Sequence, residues 1–365
     1  MTGVTALRAE AYTVPTERPE ADGTATWDAT TAVVVTAAAE GREGLGWTYA
    51  PATAAAVVRN LLAPAVTGAD PMDVPGAHRS MRRTARNALV PGLVTAAISA
   101  VDVALWDLKA TLLATPLASL FGRVEPAVPV YGSGGFTTYD DDTLRRQLAG
   151  WVFGEGIPRV KIKIGESWGR AESHDLSRMR IARDAIGADA ELYVDANGGY
   201  TAKQAIRVSR RAEDVDVRWF EEPVSSDDLA GLAQVRAGVA ADVAAGEYGT
   251  DPTYFRRMCA ARAVDCLQVD LTRSGGYTGF LRAAAVADAY GLEVSTHTAP
   301  QLHAPVAAAL PNARHIEWFA DHVRLEQMLF DGLATPAGGA LAPQCERPGH
   351  GLALRLDDAA RYRTD

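Results

Sequence analysis

The sequence predicts an α/β protein: a closed barrel of parallel strands preceded by a smaller α+β unit. Between residues 126 and about 320, short apolar segments alternate with amphipathic ones in a strand, loop, helix rhythm, as a parallel sheet requires. Eight candidate strands can be counted there, which suits a (β/α)₈ barrel better than an open sheet. Residues 1–125 lack that rhythm and show two strands followed by a long helical stretch.

Taken in order, Ala6–Tyr12 and Thr31–Thr36 (TAVVVT) read as strands. The proline- and glycine-bearing segment between them, residues 15–28 (PTERPEADGTATWD), reads as a loop, and GWTYAP at 46–51 as a turn. Residues 52–125 switch to helical periodicity, ending in AAISAVDVALWDLKATLLATPLASLFG with Gly122 as a C-cap. The barrel strands are placed at 128–133, 159–164, 191–196, 217–222, 242–247, 265–270, 292–297 and 314–319. After them, PQCERPGHGLALRLD has loop and strand character without a further strand–helix unit, and is expected to fold back on the N-terminal part.

Bulk properties exclude several functions. A formal charge of -9 and the lack of a long Lys/Arg block argue against a nucleic-acid partner. The most apolar run, Ala88–Trp106, is broken by Pro91, Gly92 and Asp102, so it predicts a buried helix and no membrane span. Cys259, Cys266 and Cys345 cannot all pair and show no CxxC spacing; with no basic, apolar leader at the start, a cytoplasmic location is expected.

The strand ends carry the chemistry. From the second strand onward each closes on an ionisable group: Lys161 and Lys163, Asp195, Glu221 with Glu222, Glu247, Asp270, His297 and Glu317. From Asp195 onward these tips recur every 20 to 27 residues, about one strand–helix unit, which puts them in a ring at the barrel's C-terminal mouth. Any one acid is as well explained as a solvated loop residue or a helix cap. Asp195, Glu221 and Glu247 at equal phase on successive strands are not, because three converging carboxylates need a cation, and an all-oxygen set suits Mg²⁺. Asp270 beside His297 makes a dyad able to carry a proton. In VKIKIG (160–165), Lys161 and Lys163 point the same way on their strand. Their mutual repulsion is expected to lower a pKa and free Lys163 as a base, while Lys161 stays charged and holds a substrate oxygen. Bases on both sides of a metal-bound anion imply removal of the hydrogen α to a carboxylate, the enediolate being met by Mg²⁺ and an acid such as Glu317.

These residues resemble the mandelate racemase branch of the enolase superfamily over nearly the whole chain. VKIKIG is similar to that family's K-x-K strand, YVDANGGY to its first metal aspartate, WFEEP and AAGE to its two glutamate ligands, QVD and STH to its Asp–His pair, and HIEW to its carboxylic electrophile. The resemblance implies an α+β capping domain (1–125) completed by the C-terminal segment (323–365), over a modified TIM barrel, (β/α)₇β, at 126–322. It also implies Mg²⁺ as cofactor, Asn197 as a substrate contact, and a homo-oligomer, dimer or octamer. Residues 15–28 and 46–51 would be cap loops choosing among substrates, with Trp27, Trp47 and Tyr49 as candidate contacts, although ordinary packing explains each aromatic equally well. Tyr248 departs from the pattern, since many relatives place Asn after the third glutamate.

The expected reaction is dehydration of a small-molecule carboxylate, an acid sugar, to a 2-keto-3-deoxy acid. The alternative is racemisation, epimerisation or cycloisomerisation of a 2-hydroxy acid or sugar acid by 1,1-proton transfer. The K-x-K and Asp–His set fixes the first chemical step and leaves the last open.

Overall fold

The computed structural model describes residues 3–88 and 91–364. Strands β1 (Ala6–Ala21), β2 (Thr26–Ala39) and β3 (Arg42–Tyr49) form an antiparallel sheet in that order. Two expectations are corrected here. Residues 15–28 are mostly strand, the turn occupying 22–25, and the proposed turn at 46–51 is largely the end of β3. Prolines 15 and 19 are tolerated because β1 lies at the sheet edge, with a register shift between Pro15 and Glu20.

Both faces of this sheet are covered, which explains the unbroken apolar run of β2. Val33, Val35 and Ala37 pack with Val101, Ala104 and Leu108 of the long helix Leu93–Leu112, while Ala32, Val34 and Trp47 join the larger core shared with the barrel. That helix is the one foreseen within Ala88–Trp106; residues 89 and 90 of the run lie outside the described residues. Gly46 lets β3 touch it, since a Cβ there would lie 2.4 Å from Ala100 O and 2.5 Å from Ala104 N. Gly46→Ala is expected to cost about 1–3 kcal/mol of stability by overpacking. Urea unfolding checks this, and an unchanged midpoint would mean that the helix can yield.

The barrel follows the predicted eight strands: β4 (Val128–Gly134), β5 (Arg159–Lys163), β6 (Glu191–Asp195), β7 (Val217–Glu221), β8 (Asp242–Ala245), β9 (Cys266–Val269), β10 (Glu293–Thr296) and β11 (Ala313–Phe319). Neighbours pair in parallel, and β11 pairs back on β4 to close the ring. Helix Ala320–Leu329 continues directly from β11. The remaining chain first pairs with the barrel, Ala340–Leu341 against the start of β4, and then returns to the cap, where Thr13 N donates to Tyr362 O (2.8 Å) and Thr364 N to Ala11 O (3.0 Å). Asp107 on the long helix ties three pieces together, accepting from Leu45 N (2.8 Å) and His350 N (2.7 Å). No helix among the described residues is long and apolar enough to cross a membrane, and all three cysteines are free.

Candidate active site

The parallel register sets the geometry. Lys163 lies opposite Asp195 and Asp195 opposite Glu221, so three consecutive strands deliver these side chains at one level. Lys161 sits one inward position deeper, opposite Tyr193. Beneath it, Tyr131, Tyr193, Trp219 and His315 fill the barrel with ring contacts, and the Lys161 ammonium lies 5.2 Å from the Tyr131 ring centre.

Lys161 is wholly buried and pairs with Glu221 (2.5 Å) and Glu317 (2.8 Å), with Asp195 at 3.9 Å. Lys163 pairs with Asp195 at 2.5 Å. The expected neutral Lys163 is therefore corrected for this arrangement. Burial alone would lower its pKa and Lys161 adds to that, but Asp195, Glu221 and Glu247 outweigh both and raise it. Lys161 is raised too, burial being overcome by Glu221, Glu317 and Asp195. Glu317 is likewise a carboxylate rather than the expected acid: burial would raise it, yet Lys161, His297 and Lys163 hold it well below the usual range. It also accepts from Thr298 N at 2.6 Å.

On the other side of the mouth, His297 Nδ1 and Asp270 Oδ2 are 2.9 Å apart, as the dyad requires. His297 Nε2 lies 3.2 Å from Glu247 Oε2. Burial lowers the His297 pKa, but Glu247 and the Asp270 hydrogen bond raise it above its ordinary value on balance. Asp270 is held low, its burial offset by His297 and Arg273. Arg273 bridges the two halves, 3.1 Å from Glu247 Oε1 and 3.4 Å from Asp270 Oδ2.

The turns that follow the strand tips are strained. Asn197, Glu222, Thr298 and Ala299 all have positive φ (45°, 37°, 51° and 40°), a conformation that non-glycine residues keep only when their surroundings impose it. The Thr298 turn is what aims its N–H at Glu317.

A cleft of about 590 Å³ lies above these groups. Lys163, Asn197, Glu247, Asp270, His297 and Glu317 line its floor, and Asp22, Trp27, Thr30, Thr31 and Tyr49 come from the cap. Trp27 Nε1 donates to Glu20 (3.0 Å), and Tyr49 donates to Glu326 (3.2 Å) while stacking on His322 at 3.5 Å. Trp47 does not line the cleft: it is fully buried, stacked on Phe330 at 4.3 Å. Tyr248 does line it, with Arg273 5.3 Å from its ring centre. Sequence reasoning missed Asp22, Arg273, Asp321 and His322. Arg273 could have been sought three residues past Asp270, whereas the others sit in a turn and on a helix with no strand-end signal.

Burial pushes Glu326 up to about 8 from the ordinary 4.5, so the folded state holds its proton more tightly than the unfolded chain. The sign follows: its contribution is whole below pH 4.5, and stability falls as pH rises through 4.5 to about 8. Glu326→Gln, which can still accept from Tyr49, is expected to remove that slope, worth on the order of 3 kcal/mol near pH 7. Denaturant midpoints across this range test it, and parallel curves for the two proteins would refute it.

The donor set fits a hard divalent cation. Asp195, Glu221 and Glu247 offer carboxylate oxygen alone, and buried Glu247 Oε2 has no hydrogen-bond partner, its contact with His297 lacking hydrogen-bond geometry. Among the described residues no three His, Cys, Asp or Glu side chains close around one point. Asp195 and Glu221 are drawn to the lysines, and Glu247 to Arg273 and His297.

Capping sheet, closed barrel and charged mouth together define the enolase-superfamily architecture. Residues 7–122 match the mandelate racemase/muconate lactonizing enzyme N-terminal domain and residues 143–359 the enolase C-terminal domain-like model, so the chain belongs to the mandelate racemase/muconate lactonizing enzyme family. It is 32% identical to the 3,6-anhydro-alpha-L-galactonate cycloisomerase of Streptomyces coelicolor, over 88% of each chain. It is 32% identical to the L-talarate/galactarate dehydratase of Salmonella typhimurium, over 89% of this chain and 80% of that one. That dehydratase has been solved with Mg and L-lyxarohydroxamate, and superposes with a TM-score of 0.92 at 26% identity, over 100% of this chain and 93% of that one. A mandelate racemase/muconate lactonizing enzyme-like protein from Rubrobacter xylanophilus superposes with a TM-score of 0.95 at 44% identity, over 99% of each chain. A Streptomyces coelicolor racemase with bound magnesium gives 0.92 at 29%, over 99% of this chain and 100% of that one.

Proposed function

We propose that this chain is a Mg²⁺-dependent acid-sugar dehydratase that removes the proton α to a carboxylate and expels the β-hydroxyl, yielding a 2-keto-3-deoxy acid. The observation that carries the reading is the pair of proton carriers across one mouth, Lys163 backed by Asp195 and His297 backed by Asp270, with the carboxylates of Glu221 and Glu247 beside them. Asp195, Glu221 and Glu247 would hold Mg²⁺, which when bound supplies the positive charge that acidifies the α-hydrogen.

The protein groups divide the remaining work. Lys161, charged and countered by Glu317, holds a carboxylate oxygen of the substrate and meets the charge that develops there. Lys163 is the group that takes the α-hydrogen; were Asp195 engaged as a ligand, Lys163 would lose the partner that keeps its proton, and the adjacent Lys161 charge would favour the neutral amine. His297, whose pKa the Asp270 hydrogen bond raises, gives its proton to the departing hydroxyl, and Asp270 fixes the ring. Assaying mono- and diacid sugars for keto-acid formation with MgCl₂ tests this, and silence across both classes would remove it.

Similarity to a cycloisomerase over 88% of each chain favours one second reading, proton transfer without loss of hydroxyl. Incubation in deuterated water separates the two, since α-exchange with the β-hydroxyl retained indicates an isomerase.

A further inference from the structure

We infer that the substrate is a monoacid with a neutral, polyhydroxylated tail, and that the cap side of the cleft turns away a second carboxylate. The inference rests on the proposed α-proton chemistry only for which end of the substrate lies at the floor. Among the described residues lining the cleft, the lysine and arginine side chains are Lys163 and Arg273. Both belong to the floor and both are already matched, Lys163 by Asp195 and Arg273 by Glu247 and Asp270. They are committed to the reacting end.

The charged side chains of the far wall are acidic, and one of them, Asp22, has no ion pair among the described residues. It lines the wall from the β1–β2 turn, and one of its oxygens holds the turn by accepting from Ala25 N at 2.7 Å. Asp321 lines it from the last barrel helix, matched by Arg324 (2.6 Å), which does not itself line the cleft. Arg18 of the cap does not line the cleft; it donates to Thr143 and lies over the Tyr139 ring at 5.5 Å. A carboxylate arriving here would meet like charge with no unmatched lysine or arginine among the described lining residues.

What the wall does offer suits a sugar chain. The polar atoms of Trp27 and Tyr49 are already bonded to Glu20 and Glu326, so these side chains have ring carbon left for a ligand. Carbon–hydrogen faces of a polyol pack against such rings, and its hydroxyls donate to Asp22.

The test compares acids of matched configuration that differ only at the far terminus, CH₂OH or COO⁻: gluconate with glucarate, galactonate with galactarate. Binding to the full chain in MgCl₂ is measured by calorimetry, and α-hydrogen exchange in deuterated water is followed alongside. The monoacid is expected to bind at least about tenfold more tightly in the accepted configuration. Asp22→Asn should narrow that ratio several-fold, and Asp321→Asn, which releases Arg324, should narrow it further. A diacid that binds as well as its monoacid overturns the inference, as does a ratio that neither variant moves. A bound monoacid whose α-hydrogen never exchanges keeps the tail preference and removes the proposed chemistry; an exchanged and preferred diacid does the reverse. Binding by neither member of any pair overturns both.

Discussion

His297→Asn is expected to lower turnover by about 10²–10⁴-fold while leaving the fold intact, the range a positioned proton carrier supplies. The imidazole sits at the tip of β10, 2.9 Å from Asp270, and its proton is held by Glu247 and Asp270 against the pull of burial. Asparagine is of similar size, and its amide can donate to Asp270, so packing and the Asp270 charge survive while the titratable group is lost. The informative readout is the split between two signals. If Lys163 takes the α-hydrogen, exchange in deuterated water persists in the variant while hydroxyl loss collapses. Unchanged turnover would take His297 out of the mechanism altogether.

Lys161→Met is expected to cost about 3–5 kcal/mol of stability when divalent metal is chelated, because it strands buried carboxylates without their counter-charge. Lys161 is fully buried and touches Glu221 and Glu317, and methionine replaces its length but not its charge. Added Mg²⁺ should return part of the loss, about 2.7 kcal/mol at a concentration a hundred times its dissociation constant, by binding the folded state alone. Urea unfolding with chelator and then with MgCl₂ measures both terms. A variant as stable as the parent under chelation would show that the carboxylates find other partners.

The barrel was legible because its signal is repetitive. From the second onward each strand is a short apolar run carrying a charged residue at or near its end, and all eight strands fall where the letters place them. The ring of tips from Lys161 to Glu317 followed from that phase. The cap was read less well, for local reasons. Pro15, Pro19 and Gly23 punctuate 15–28 like a loop, but an edge strand needs no inward amide at a proline, so β1 runs through both prolines to Ala21. Gly46 looked like a turn residue and instead provides the close approach of β3 to a helix. Protonation was the hardest to read. The lysines were weighed against each other, when the carboxylates that face them from neighbouring strands outnumber them and decide the balance. Asp22, Asp321 and His322 owe their place in the cleft to a turn and a helix start, which no strand pattern marks.

The aromatic layer below Lys161 has a consequence for traffic. Tyr131, Tyr193, Trp219 and His315 leave the bottom of the barrel stoppered, so reactant and product come and go on the cap side, where the doorway under the β1–β2 turn lies. Turnover cannot outrun the clearing of that doorway, and bulk added at the turn would slow every acid alike, whatever its tail.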